Sequence, residues 1–378
     1  MSVGLGRVVR LVVVAAAVAG LWAVSAMVAL GVAAAHTAAQ EAVSDDAAAL
    51  ETVGGAPAGD GDAARLLARA VEAGDELSYD GEVAVVSLAD DGPRLATLTV
   101  ARGEGGVRVG RGDDEEFGRA DGEGFLRSSS RLLRVGGIER VPAHVGRLED
   151  KYSPRLEGTR ELDTGTATVV ALVDSDLEVV RERLYADDDT GLVVRRETFD
   201  ADGEPVRLVA FTELRPGATQ VDMPASGHRS VEQHEVEPRE IVRLREAGFV
   251  VPERLGRGFE LLATLDVPAA SVPTAHLVYG DGLYTVSVFQ QLGRLDRRAV
   301  AAATELTTDD GASVWRWPGS EPRRLVWTGE GITFTALGDA PTDEVLAAIA
   351  ELPSEPAPGL FGRLVRGLER IGRGLMPG

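Results

Sequence analysis

Residue types able to do chemistry are sparse in this chain, and their spacing argues against most of it. Ser128-Ser129-Ser130 and His144 bring a nucleophile and a base. No Gly-x-Ser-x-Gly elbow and no strand–turn–helix frame surrounds the serines, so the stretch reads as a polar loop rather than a hydrolase centre. His228 and His234, with Glu232 and Glu235 beside them, offer metal-ligating atoms. They fall in a stretch that reads as a solvated acidic linker. Asp113-Asp114-Glu115-Glu116 and Asp187-Asp188-Asp189 have the charge of calcium ligands without the oxygen spacing of an EF-hand loop, and both read as turns. Gly103-Glu104-Gly105-Gly106 sits between strands instead of ahead of a helix, so it cradles no dinucleotide. Trp315, Trp317 and Trp327 read as core or hairpin partners rather than a binding platform. The chain contains no Cys, which excludes disulfides, thiolate metal sites, Cys nucleophiles and an N-terminal lipidated Cys. The expectation is a binding protein with no catalytic residue, no cofactor and no metal.

Composition sets the class of partner. Apolar residues make up 44% of 378 residues, enough to bury a real core, while aromatics are only 5%, so that core is built mainly from Val, Leu and Ala. The formal net charge is -21, which disfavours nucleic acid because phosphate binding needs a basic footprint. From Leu11 to Ala35 no charged residue occurs. As a helix that run is ~37 Å long, enough to cross a hydrocarbon core of about 30 Å. Arg7 and Arg10 precede it and Glu41, Asp45 and Asp46 follow. Positive-inside asymmetry then expects a single-pass anchor with a cytoplasmic N-terminus and everything after residue 40 extracytoplasmic. The alternative is a cleaved signal peptide, with Ala33-Ala34-Ala35 as the cleavage site, giving a secreted or periplasmic protein.

The elements that must position a binding site follow from periodicity. After a flexible spacer over 41–61, Asp62 caps a helix to about Glu76, with Leu66, Leu67, Ala70 and Val71 as its stripe. The period then changes to two. Strands are expected at Tyr79–Leu88, Leu95–Ala101, 107–110 and 124–127, with 128–151 ambiguous. A clearer meander follows at Thr168–Val173, Glu178–Ala186, Leu192–Phe199 and Pro205–Leu214. Its turns are too short for parallel crossovers, so neighbours are antiparallel. A linker over 223–237 separates this first domain, 62–222, from a second, 238–353. The second domain opens with a helix at Pro238–Ala247. It continues with strands at Gly258–Leu265, His276–Tyr279, Leu283–Gln290, Ser313–Trp317, Arg324–Thr328 and Ile332–Ala336, and closes with a helix at Thr342–Leu352. The fold class is α+β, mostly antiparallel β. The tail, 354–378, is different in kind: Phe361, Leu364, Leu368 and Ile371 share one side of a helical wheel, and Arg363, Arg366, Arg370 and Arg373 cluster on the other. That pattern expects contact with a membrane surface, with docking on a protein surface as the alternative.

With these elements placed, the chain resembles the sigma-E factor regulatory proteins of the RseB/MucB family. The likeness rests on Ala64-Arg65-Leu66-Leu67 and Leu77-Ser78-Tyr79-Asp80-Gly81; on Tyr185-Ala186-Asp187-Asp188-Asp189-Thr190-Gly191-Leu192-Val193-Val194-Arg195; on Phe199-Asp200-Ala201-Asp202-Gly203 and Phe211-Thr212-Glu213-Leu214; and most specifically on Tyr279-Gly280-Asp281-Gly282-Leu283-Tyr284-Thr285-Val286-Ser287-Val288-Phe289. The family's mid-chain Val-Ala-Gly-Arg is absent, Glu161-Leu162-Asp163-Thr164 standing nearby. The resemblance implies a first domain like the lipoprotein carriers, a curved half-barrel with a helical lid over an apolar cavity, and a smaller second domain. It also implies a partner, the extracytoplasmic segment of a membrane anti-sigma factor, which is shielded from proteolysis and released by a lipid or acyl-chain signal. A tethered carrier of such chains is the alternative. The residues expected to face the cavity are Val83, Val85, Leu98, Val170, Leu172, Leu184, Val194 and Phe211.

Overall fold

The computed structural model describes residues 60–89, 92–104, 106–112, 114–118, 148, 150–222, 238–266, 273–293, 295–308, 311–317 and 323–355. The N-terminal apolar run, most of the spacer, the expected 124–127 strand, the Ser128–His144 stretch, the His228–His234 linker and the tail from Phe361 to Arg373 lie outside the described residues. Among the described residues no helix is long and apolar enough to cross a membrane.

Helix α1 (Asp60–Glu76) buries Ala63, Leu67, Ala70 and Ala73, a stripe at three- and four-residue spacing, with Leu66 and Val71 half-buried at its edge. The chain then forms β1 (Tyr79–Ala89), β2 (Gly92–Gly103), β3 (Gly106–Arg111) and β4 (Asp114–Gly118). After residue 148 follow β5 (Tyr152–Leu162), β6 (Gly165–Asp174), β7 (Val179–Asp187), β8 (Val193–Phe199) and β9 (Pro205–Pro216). All nine strands lie in one sheet of order β4-β3-β2-β1-β9-β8-β7-β6-β5. Two antiparallel meanders are joined where β1 pairs β9, so the first and last strands of the domain meet in its middle. Alternation is cleanest in β2, where Leu98 and Val100 are buried and Thr97 and Thr99 exposed.

Two features of this sheet depart from the sequence reading. Strand β5 was hidden because it shows no apolar alternation and carries Pro154 and Gly158, the latter at φ +97° in a bulge. Those residues are tolerated because β5 is an edge strand. Asp114, Glu115 and Glu116, expected in a turn, lie in β4 at the opposite edge.

The part of the chain that carries the second sheet, called the second domain below, has helix α2 (Pro238–Glu246), a short turn at Gly256–Gly258, and strands β10 (Glu260–Asp266), β11 (Thr274–Gly280), β12 (Thr285–Leu292), β13 (Thr304–Thr307), β14 (Ser313–Arg316), β15 (Arg323–Gly329) and β16 (Ile332–Gly338). Helix α3 (Thr342–Ile349) follows. The strands form a second antiparallel sheet, β10-β11-β12-β16-β15-β14-β13. Edge strand β13, mostly exposed, had given no sequence signal. Trp327 is 1% exposed, stacks on Phe334 at 5.1 Å and donates its indole N–H to the Pro353 carbonyl at 3.2 Å. Trp317 lies under the Arg324 guanidinium at 4.2 Å. These two tryptophans serve packing.

Helix α1 is held to the first sheet chiefly by its small apolar stripe. Leu67→Ala is expected to cost about 2–5 kcal/mol in urea unfolding. A loss below about 1 kcal/mol would show that α1 contributes little to the fold.

Candidate functional site

Strand register decides which of the expected cavity residues can act together. Val83 lies opposite both Leu98 and Phe211, and Val85 opposite Val209. Val209 in turn opposes Arg196, Arg196 opposes Leu184, and Leu184 opposes Val170. Paired residues point to the same side of a sheet, as do residues two apart, which adds Leu172. Val83, Val85, Leu98, Val170, Leu172, Leu184 and Phe211 therefore share one face. Val194 is the extra residue of a bulge between the Arg195–Tyr185 and Val193–Ala186 pairs. All eight are buried, Phe211 the most exposed at 6%. Tyr79 meets the Phe211 ring edge-on at 5.7 Å.

Helix α1 packs on β5 and β6. Its Arg69 donates to the Asp188 carbonyl at 2.8 Å, in the turn between β7 and β8. That turn is built by the family-like motif. Asp187 accepts the Thr190 amide at 2.8 Å and hydroxyl at 2.6 Å, and Gly191 takes φ +80°. A side chain on Gly191 would meet Arg69 and Ala73, so the helix lies directly against the turn. Asp187 thus shapes a turn, as expected.

Toward its other end the same face becomes polar. Glu182, Thr198, Arg207 and Ser87 form a continuous paired row, and all are buried. Arg196 donates to Glu182 at 2.5 Å, and Thr198 adds a bond at 3.3 Å. Burial raises the Glu182 carboxyl pKa, with Arg196 opposing the shift. The second domain docks here. Asp339, at the end of β16, accepts the Thr285 amide at 2.8 Å, and its charge is felt by Arg196 and Arg207.

Beside that row lies a cluster of charges drawn from both domains. Lys151 donates to Asp281 at 2.6 Å and to Glu344 at 2.5 Å, with its ammonium 5.0 Å from the Tyr152 ring centre and 5.2 Å from that of Phe259. The Tyr152 hydroxyl donates to the same Asp281 oxygen at 2.7 Å. Arg181 reaches Asp343 at 3.1 Å and Glu344 at 3.2 Å. Arg257 pairs with Asp174 and lies 3.6 Å from Glu344. Tyr284 donates to the Arg181 carbonyl at 3.2 Å and meets the Tyr152 ring edge-on at 6.5 Å. Register explains Arg181: it is the extra residue of a bulge in β7, between the Leu172–Glu182 and Val173–Val180 pairs. Of these groups the sequence marks Asp281 and Tyr284, both inside the family-like motif. The others come from distant segments with no shared pattern. Among the described residues no cluster has the makings of a metal site.

Two buried groups give stability opposite dependences on pH. Burial raises the Asp339 pKa from 3.8 to about 6, against the Thr285 amide and the two arginines. Its contribution is present in acid and is lost as pH rises through about 6. Burial lowers the His276 pKa from 6.5 to about 4, so its contribution is present above 6.5 and is lost as pH falls through about 4. Asp339→Asn removes the first of these dependences and leaves the histidine's. Urea unfolding of that variant is expected to lose stability more steeply than the parent between pH 6 and 4. Parallel profiles would show that Asp339 is not held in this buried setting.

Residues 62–239 match the MucB/RseB N-terminal domain. Comparison with curated protein sequences gives no match. Among solved structures, the complex of Pseudomonas aeruginosa MucA and MucB is 21% identical, covering 79% of this chain and 100% of that chain, with a TM-score of 0.43. MucB in complex with MucA(peri) is 19% identical over 79% of this chain and 100% of that one, with a TM-score of 0.41. A LolA superfamily protein from Nitrosomonas europaea is 15% identical, covering 42% of this chain and 94% of that one, with a TM-score of 0.17. The match to the MucB/RseB N-terminal domain takes in the first sheet and helix α1 from Asp62 onward, the frame of the face described above.

Proposed function

We propose that this protein is an extracytoplasmic negative regulator of an envelope-stress sigma factor, which binds the outer segment of a membrane anti-sigma factor and shields it from proteolysis. The observation that carries this reading is the match of residues 62–239 to the MucB/RseB N-terminal domain, in which the relative MucB is a partner of MucA. Steric cover suffices for the role, and no residue need do chemistry. The two domains act together outside the membrane, tethered by residues 11–35.

The release signal is an acyl chain taken up on the apolar face of the first sheet, in a carrier-like domain. Val83, Leu98 and Leu172 are 1% exposed or less, so a chain reaching them displaces what covers the face. Each buried CH₂ contributes ~0.8 kcal/mol, and converting 99% bound to 99% free needs about 5.5 kcal/mol of differential affinity. An acyl chain of ordinary length supplies that. The sequence of 361–373, four arginines interleaved with Phe361, Leu364, Leu368 and Ile371, supports contact with an anionic leaflet.

The test is protection of the anti-sigma factor's outer segment from its protease. The purified extracytoplasmic part is expected to slow cleavage at least tenfold, and added long-chain lipid to abolish the effect. Unchanged cleavage would remove the regulatory reading. Stoichiometric co-purified lipid in native mass spectra, without protection, would point to an acyl-chain carrier instead.

A further inference from the structure

The contacts between the two domains have a reciprocal design. Asp281 of the second domain uses one carboxylate oxygen to hold its own hairpin, accepting the Leu283 and Tyr284 amides at 3.0 and 2.7 Å. Its other oxygen takes Lys151 and Tyr152 of the first domain. Asp174 of the first domain mirrors this. One oxygen accepts the Asp176 and Leu177 amides of its own turn at 3.0 and 3.1 Å, and the other takes Arg257 of the second domain. Both Asp174 and Asp281 are almost fully buried. Glu344, 2% exposed, lies between the two exchanges and touches Lys151, Arg181 and Arg257 together. Arg257 and Glu178, the residue after the Asp174 turn, both hold left-handed backbone at φ 59° and 57°, a strained conformation for non-glycine residues.

Buried ion pairs are poor glue compared with apolar packing, because both charges lose hydration, yet removing one partner is strongly destabilising. Their advantage is that every group is again well solvated once the faces part. An interface built this way suits domains that close tightly and also open. The chain's Lys and Arg residues number 39, and the sequence shows one lysine among them, Lys151. A compact ammonium places its donors on two carboxylates between two aromatic rings.

We infer that Lys151, Glu344 and the Asp174–Arg257 exchange form a latch that holds the two domains closed as one body and releases as a unit when any one of its charges is removed. This goes beyond the proposed binding role and holds whatever the apolar face takes up.

The lone lysine makes the latch readable in the unmodified full chain. Amine acylation at Lys151, followed by peptide mass spectrometry, reports how often the latch opens. The rate for Lys151 in the urea-unfolded chain is the reference. Acylation in the native chain is expected to be at least 100-fold slower than this reference. Glu344→Gln and Asp174→Asn should each accelerate it roughly 100-fold. Asparagine at 174 keeps an oxygen for its own turn, so folding is preserved, and the Asp174 carboxylate is paired with Arg257 and its own turn, not with the Lys151 ammonium. Acceleration by Asp174→Asn therefore reports release of the whole latch, whereas a merely local role for Lys151 leaves it unmoved. Native Lys151 acylated as fast as in urea, or unaffected by Asp174→Asn, would overturn the inference. Protease protection could fail without altering either rate, so the two readings stand or fall separately.

Discussion

Burying charge between two sheets constrains everything else in this molecule. A carboxylate removed from water must find donors on all sides, and no single domain supplies them here. Asp281 and Asp174 each spend one oxygen on the local turn and offer the other across the boundary. Each hairpin therefore presents its carboxylate in a fixed direction before the domains meet, which lowers the ordering cost of docking.

That constraint reaches into the first sheet. The face that carries Val83, Leu98 and Phe211 under the family-like scaffold continues, by register, into Arg196, Glu182 and Arg207, where Asp339 of the second domain is felt. One sheet face is thus shared between apolar packing and interdomain charge. The apolar end and the rows of side chains that the second domain rests on lie two residues apart along the same strands. Coupling of this kind needs no long pathway, only a common sheet.

Sequence revealed the local features and concealed the non-local ones. Period-two runs, Asp–Gly turns and the stripe of α1 are short-range signals, and the helices and most strands lie where those signals put them. The strands that escaped, β4, β5 and β13, are all edges, and in β5 and β13 partial exposure erases alternation. Of the expected apolar residues, register unites all but Val194, whose place at a bulge no periodicity reveals. The charge cluster was largely illegible. Lys151, Arg181, Arg257 and Glu344 come from four separate segments, and an isolated charged residue in a sequence reads as surface until tertiary packing buries it. Asp281 and Tyr284 announced themselves, because their turn and its neighbours carry a recognisable pattern.

The central claim is that these shared charges make two differently built sheets one cooperative body, and scanning calorimetry of the chain tests it most directly. A single transition with equal calorimetric and van't Hoff enthalpies is expected, splitting into two when Asp281 is changed to Asn and Arg257 to Gln together. Two independent transitions in the parent, or one undivided transition in that double variant, would contradict it.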